Sequence, residues 1–75
     1  MILTDSELHV LQHLVKQGGM GNVLEPLGYT QEDFDKAFEF ANDLQNKDLV
    51  KLIYSNFNKR QIVVELTLPG FEAGK

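Results

Sequence analysis

Apolar residues recur along this chain first at helical spacing and then in alternation. Leu8, Leu11, Leu14 and Val15 fall on one stripe of a first helix. Thr4 with Glu7 three residues later makes a capping box at its start, and Leu3 with Leu8 has the spacing of a hydrophobic staple. Gly18-Gly19 ends it, Gly18 being suited to a left-handed cap, and Lys16 in the last turn complements the helix dipole. Met20 to Tyr29 is more broken. Val23, Leu24 and Leu27 are expected in the core. Asn22 is placed to cap a short helix with Pro26 in its first turn, where the amide hydrogens lack helical partners.

The third helix opens as the first does, with Thr30 as cap, Asp33 at the third position and Tyr29 spaced to staple onto Phe34. Phe34, Ala37, Ala41 and Leu44 mark its buried face, with Phe38 and Phe40 on the two shoulders. Asp35, Glu39 and Asn42 lie opposite. The period then changes to two. Leu49–Tyr54 and Gln61–Thr67 are rich in β-branched and aromatic residues, and Ser55–Arg60 between them carries loop residues. This predicts a β-hairpin with a tip of about six residues. Ile62, Val64, Leu66 and Leu68 are expected to point one way and Gln61, Val63, Glu65 and Thr67 the other, and Pro69-Gly70 closes the second strand.

Helix, short helix, longer helix and hairpin predict an α+β winged helix-turn-helix. The details resemble the core of MarR-type regulators: Leu11–Leu14, Leu27-Gly28, Leu44 through Leu49-Val50, Lys59-Arg60 at the tip, and Leu66-Thr67 followed by Gly70. The resemblance covers roughly residues 3 to 71. It implies a three-helix fold with a wing, transcription regulation, and DNA contacts from the third helix and the wing. Under that reading Gln31, Lys36, Asn58, Lys59 and Arg60 are the contact residues. The chain as given has no room for the dimer-forming terminal helices usual in that family, and Asp48 stands where the helix–wing junction often has glycine.

Charge changes the picture. Thr30 to Asp48 carries Glu32, Asp33, Asp35, Glu39, Asp43 and Asp48 against Lys36 and Lys47, a surplus equal to the whole formal net charge of −4. A groove-entering helix must approach phosphates, which supply most of the affinity for DNA. Part of this acidity is structural. Glu32, Asp33 and Asp35 suit the helix N-terminus, and Glu32–Lys36 and Asp43–Lys47 are spaced to pair. Asp35 and Glu39 are like charges four residues apart and remain unexplained.

Length allows one domain, expected over residues 1–71, with 72–75 as a flexible tail. There is no cysteine, so no disulfide framework or thiolate metal site. His9 and His13 share an i,i+4 spacing but have no third ligand marked by the pattern, and read as two surface histidines on the exposed side of the first helix. Gly18-Gly-Met-Gly21 lacks the lysine and preceding strand of a phosphate loop, and Ser6 and Ser55 show no partnered base. No signal peptide or membrane span is evident, which points to a cytoplasmic protein. The expectation is therefore a non-enzymatic regulatory or adaptor module without metal or cofactor and with no evident small-molecule substrate. It works mainly through protein contacts, self-association included, at Asp35, Phe38, Glu39, Phe40, Asn42 and Asp43. The alternative is a DNA-binding regulator.

Overall fold

The computed structural model describes residues 3–75, with the Gln31 side chain excluded. Among these residues the chain forms four α-helices and one three-stranded antiparallel sheet: α1 (Asp5–Lys16), β1 (Met20–Asn22), α2 (Leu24–Leu27), α3 (Phe34–Asn46), β2 (Val50–Asn56), β3 (Gln61–Leu66) and α4 (Leu68–Gly74). A 3₁₀ turn, Gln31–Asp33, leads into α3.

Each of the first three helices ends in a left-handed residue. Gly18 (φ 86°) follows α1, Gly28 (φ 68°) follows α2, and Asp48 (φ 61°) follows α3. In each case the next amide reaches back to a carbonyl five residues earlier: Gly19 to Leu14, Tyr29 to Leu24 and Leu49 to Leu44. The shared bond satisfies carbonyls that the helix leaves unpaired and fixes the exit direction of the chain. Aspartate at position 48 is one of the few side-chain-bearing residues that tolerate this backbone conformation.

The sheet has the order β1-β3-β2. Val50 lies opposite Leu66 and Leu52 opposite Val64, so the inner side is built as the alternation predicts. A bulge between Leu52 and Tyr54 leaves Ile53 unpaired and about half exposed. The hairpin is longer than expected, because Ser55 and Asn56 continue β2 and the turn shrinks to residues 57–60. On the outer edge of β2 the Leu52 amide donates to Gln45 Oε1 of α3 at 2.8 Å, which covers part of an otherwise open edge.

The core comprises Val10, Leu11 and Leu14 of α1, Val23 and Leu24, the four expected positions Phe34, Ala37, Ala41 and Leu44 of α3, Leu49 and Val50, and Ile62, Val64 and Leu66. The stripe on α1 is rotated from the expected one. Glu7, Val10, Leu11 and Leu14 are buried, Val15 is half-buried and Leu8 is exposed. Thr30 also departs from its expected role. Its carbonyl accepts from the Asp33 amide at 3.0 Å, but its hydroxyl accepts no helix amide; the Asp33 carboxylate accepts from the Thr30 amide and hydroxyl, both at 3.4 Å, and α3 begins at Phe34.

Two elements were absent from the sequence reading. Strand β1 pairs Met20 with Glu65 and Asn22 with Val63. Its three residues are too few to show an alternation. Helix α4 takes Leu68 out of the strand face expected for it and replaces the flexible tail expected at 72–75. Leu68 begins α4 and is 76% exposed, and residues 72–74 lie within the helix. Thr67 caps it by accepting from the Gly70 amide, and Pro69 occupies the first turn.

Glycine spacing explains how α4 seats. Gly70 and Gly74 lie on one face and are buried. A Cβ at Gly70 would overlap the Leu49 carbonyl oxygen, and one at Gly74 would stand 2.8 Å from the Leu11 carbonyl oxygen. The helix thus rests backbone to backbone on α1 and on the α3–β2 junction, and Phe71 covers Gly19. Gly70→Ala is expected to lower stability by roughly 1–3 kcal/mol through overpacking. Gly28→Ala meets no atom within 4 Å, so its loss comes from backbone strain alone, about 1 kcal/mol. Urea denaturation of the two variants should therefore rank Gly70→Ala as the less stable.

Candidate functional site

The outward side of α3 carries Asp35, Glu39 and Asp43 at successive turns, all exposed, with the half-buried Asn42 beside them. Four-residue steps place these three carboxylates in one row. Among the described residues, none of the three takes part in an ion pair. The expected pairs Glu32–Lys36 and Asp43–Lys47 do not form; the ion pairs among the described residues are Glu7–Lys47 and Glu72–Lys75.

The destination of Lys47 accounts for the missing Asp43 pair. Its ammonium donates to Glu7 Oε2 at 2.6 Å, joining the C-terminal end of α3 to the first turn of α1. The other oxygen of Glu7 accepts from the Thr4 amide at 3.0 Å, and Thr4 Oγ1 accepts from the Glu7 amide at 3.1 Å. The capping box is therefore complete, and its glutamate also anchors a second helix. Burial alone would raise the pKa of Glu7. The Lys47 hydrogen bond and charge, with the Thr4 donors, outweigh it and hold the carboxyl below its ordinary 4.5.

The flanking aromatics are engaged within the molecule. Phe38 stacks on Phe34 with ring centroids 6.5 Å apart, and Phe57 from the hairpin tip meets Phe34 edge-on at 5.3 Å and 79°. Phe38 and Phe40 are both half-buried and packed against the core. The hairpin tip is thus held beside the start of α3.

The tip is fixed by side chains as well. Asn56 Oδ1 accepts from the Lys59 amide, the Arg60 amide donates to the Phe57 carbonyl, and Arg60 adopts φ 52°. Asn22 reaches across from β1. Its Nδ2 donates to the Arg60 carbonyl at 2.9 Å, while its Oδ1 accepts from the Leu24 and Ile62 amides. The N-cap position of α2 is Val23, not Asn22, but Asn22 bonds the first amide of the helix from one residue further back and also fastens the turn to the body. Asn58, Lys59 and Arg60 are exposed on this turn. An open cleft of about 340 Å³ lies between the turn and α2, lined by Asn22, Leu24, Glu25, Tyr29, Lys59 and Arg60.

Of the sequence-derived residues, Asp35, Glu39, Asn42 and Asp43 come together on one face, and Lys36 is exposed on the same helix. Asn58, Lys59 and Arg60 come together on the turn. Gln31 has its side chain outside the described residues. His13 departs from its expected exposure: it is half-buried, and its Nε2 is buried without a hydrogen-bond partner among the described residues. No cluster of three or more potential metal ligands occurs among those residues, and no helix is long and apolar enough to cross a membrane. The sequence reading missed the second roles of Glu7 and Asn22, because each is a bond to a residue about forty positions away. The capping signals of both were legible; their long-range partners were not.

Comparison with protein-family models, with curated proteins and with solved structures found no match.

The lowered pKa of Glu7 sets a pH dependence. A carboxylate depressed in the folded state stabilises it fully above the unfolded value and loses that contribution as pH falls through the folded value. The window lies below about 4.5. Glu7→Gln should cost roughly 1–2 kcal/mol near neutral pH, since a partly solvent-screened ion pair and half a capping box are lost. The gap between variant and parent should narrow from pH 6 to pH 3. Urea midpoints across that range measure it; a constant gap would contradict the assignment.

Proposed function

We propose that the chain is a winged helix-turn-helix domain serving as a small, non-enzymatic regulatory or adaptor module that acts mainly through protein contacts made by α3. The order of helix, short helix, helix and hairpin, with β1 completing the sheet, supports the fold part of this reading. The carboxylate row Asp35–Glu39–Asp43 carries the functional part. Like charges at i,i+4 spacing disfavour the helix that bears them, and among the described residues none of these three is in an ion pair. Such a row repels phosphate and attracts a cationic surface, so it gives specificity and a faster encounter with a basic protein partner. Phe38 and Phe40 supply half-buried apolar contact at its margins, with Asn42 as a hydrogen-bonding group. A second copy of the chain is one such partner.

A second reading is a DNA-binding transcriptional regulator, using Gln31 and Lys36 of the α3 region with Asn58, Lys59 and Arg60 of the wing. The specific observation favouring it is the Phe57–Phe34 contact, which sets the two exposed cations of the tip beside the start of α3. An arginine so presented suits a narrow minor groove.

Fluorescence anisotropy with mixed-sequence duplex DNA at low salt separates the two. The protein-contact reading expects no binding at micromolar protein. Binding that falls steeply with salt and disappears in Arg60→Ala would overturn it. Static light scattering at several concentrations tests self-association, and a strict monomer removes the second-copy option. A surface kept for a partner at the expense of the fold also predicts that Glu39→Gln, which removes both like-charge contacts, raises Tm by ~2–5 °C.

A further inference from the structure

The cleft between the hairpin turn and α2 shares no residue with the α3 face, and its chemistry is different. The turn side contributes Lys59 and Arg60, and the α2 side contributes Glu25 and the half-buried Tyr29, with the buried Leu24. Among the described residues neither Lys59 nor Arg60 is in an ion pair, and Glu25 has none either. Asn22, the remaining lining residue, already bonds three backbone groups, so its part is to hold the cleft in shape.

The backbone at Arg60 points to a use for its side chain. The turn requires a left-handed residue there, φ 52°, a conformation that glycine or asparagine fills with least strain. Arginine fills it instead, and the strain is held in place by bonds from both sides: its amide donates to Phe57 and its carbonyl accepts from Asn22. Residues kept in such conformations with over-determined surroundings mark sites where side-chain position matters. Here the backbone so fixed carries an arginine that lines a concavity, next to a lysine.

We propose that this cleft binds a nucleoside 5′-monophosphate, free or at the 5′ end of a nucleic-acid strand. Two adjacent cations and a phenol hydroxyl match a phosphate monoester dianion, which offers three acceptor oxygens and close to two negative charges. The Tyr29 ring supplies a stacking face for a base. Glu25, an acceptor on the same wall as Tyr29, selects a base with an exocyclic amine and disfavours one without it. The cleft is open, and its volume of about 340 Å³ falls at the lower end of small-molecule sites.

The test is a titration of the full, ¹⁵N-labelled chain with AMP, UMP, adenosine and inorganic phosphate, followed by amide chemical shifts. The expected result is saturable shifts at Asn22, Glu25, Tyr29, Lys59 and Arg60 with AMP, half-saturating at ~0.1–1 mM. Adenosine, phosphate and UMP should each bind at least about tenfold more weakly. Arg60→Gly, which the turn accommodates, should leave Tm no lower and weaken AMP about tenfold. Lys59→Ala, at an exposed side chain, is the second variant and should weaken AMP similarly. Short single strands with and without a 5′-phosphate distinguish the source: cleft shifts from the phosphorylated strand alone assign a strand end, and shifts from AMP alone assign the free nucleotide. No saturable shift at about 10 mM AMP, equal binding of phosphate and AMP, or binding unaffected by both substitutions would overturn the proposal.

Discussion

The ion pair between Lys47 and Glu7 connects the fold to its surface. Glu7 lies in the first turn of α1 and Lys47 at the end of α3, so one 2.6 Å contact ties together the two longest helices of the domain. The carboxylate is almost wholly buried, and a buried charge is tolerable only when its oxygens are occupied. Thr4 and Lys47 occupy them. The same contact decides what α3 shows to solvent. Drawn toward α1, Lys47 pairs with Glu7 and not with Asp43, which is left without an ion pair among the described residues.

This balance separates the acids of α3 into two groups. Glu32 and Asp33 lie in the 3₁₀ turn ahead of the helix, where negative charge is favoured by the exposed amides, and Asp33 also bonds Thr30. Asp35 shares that benefit in the first turn, but it is also the first member of the outward row. Glu39 and Asp43 lie beyond the reach of the N-terminal dipole, which fades within a turn. The unexplained pair of the sequence, Asp35 and Glu39, thus becomes a row of three.

What the sequence made legible follows from locality. The capping box of α1, the left-handed Gly18 and the apolar face of α3 depend on residues three to five positions apart, and these match the structure closely. The change to period two located both long strands. The rest depended on contacts between distant segments. β1 is three residues long and exists because β3 offers it a partner. α4 contains Pro69, Gly70 and Gly74, a composition that reads as a chain break, yet it is helical because its glycines let backbone meet backbone. On α1, the buried Glu7 defeated a reading that counts only apolar residues: a charged side chain with a fixed partner occupies a core-facing position. In the candidate site the residue types and the turn were legible, whereas the cleft required Asn22 to bring β1 and the turn together.

The hairpin is fastened at both ends. At its base the Thr67 hydroxyl donates to the Asp48 carbonyl at 2.6 Å, and Gln45 holds the Leu52 amide. At its tip Phe57 rests on Phe34, and Asn22 grips the Arg60 carbonyl. A hairpin anchored in this manner behaves as a strut and not as a pennant. A partner meeting Lys59 and Arg60 meets groups whose backbone is already ordered, so little conformational entropy is left to lose on contact, and the modest interactions of a small turn retain more of their strength as affinity.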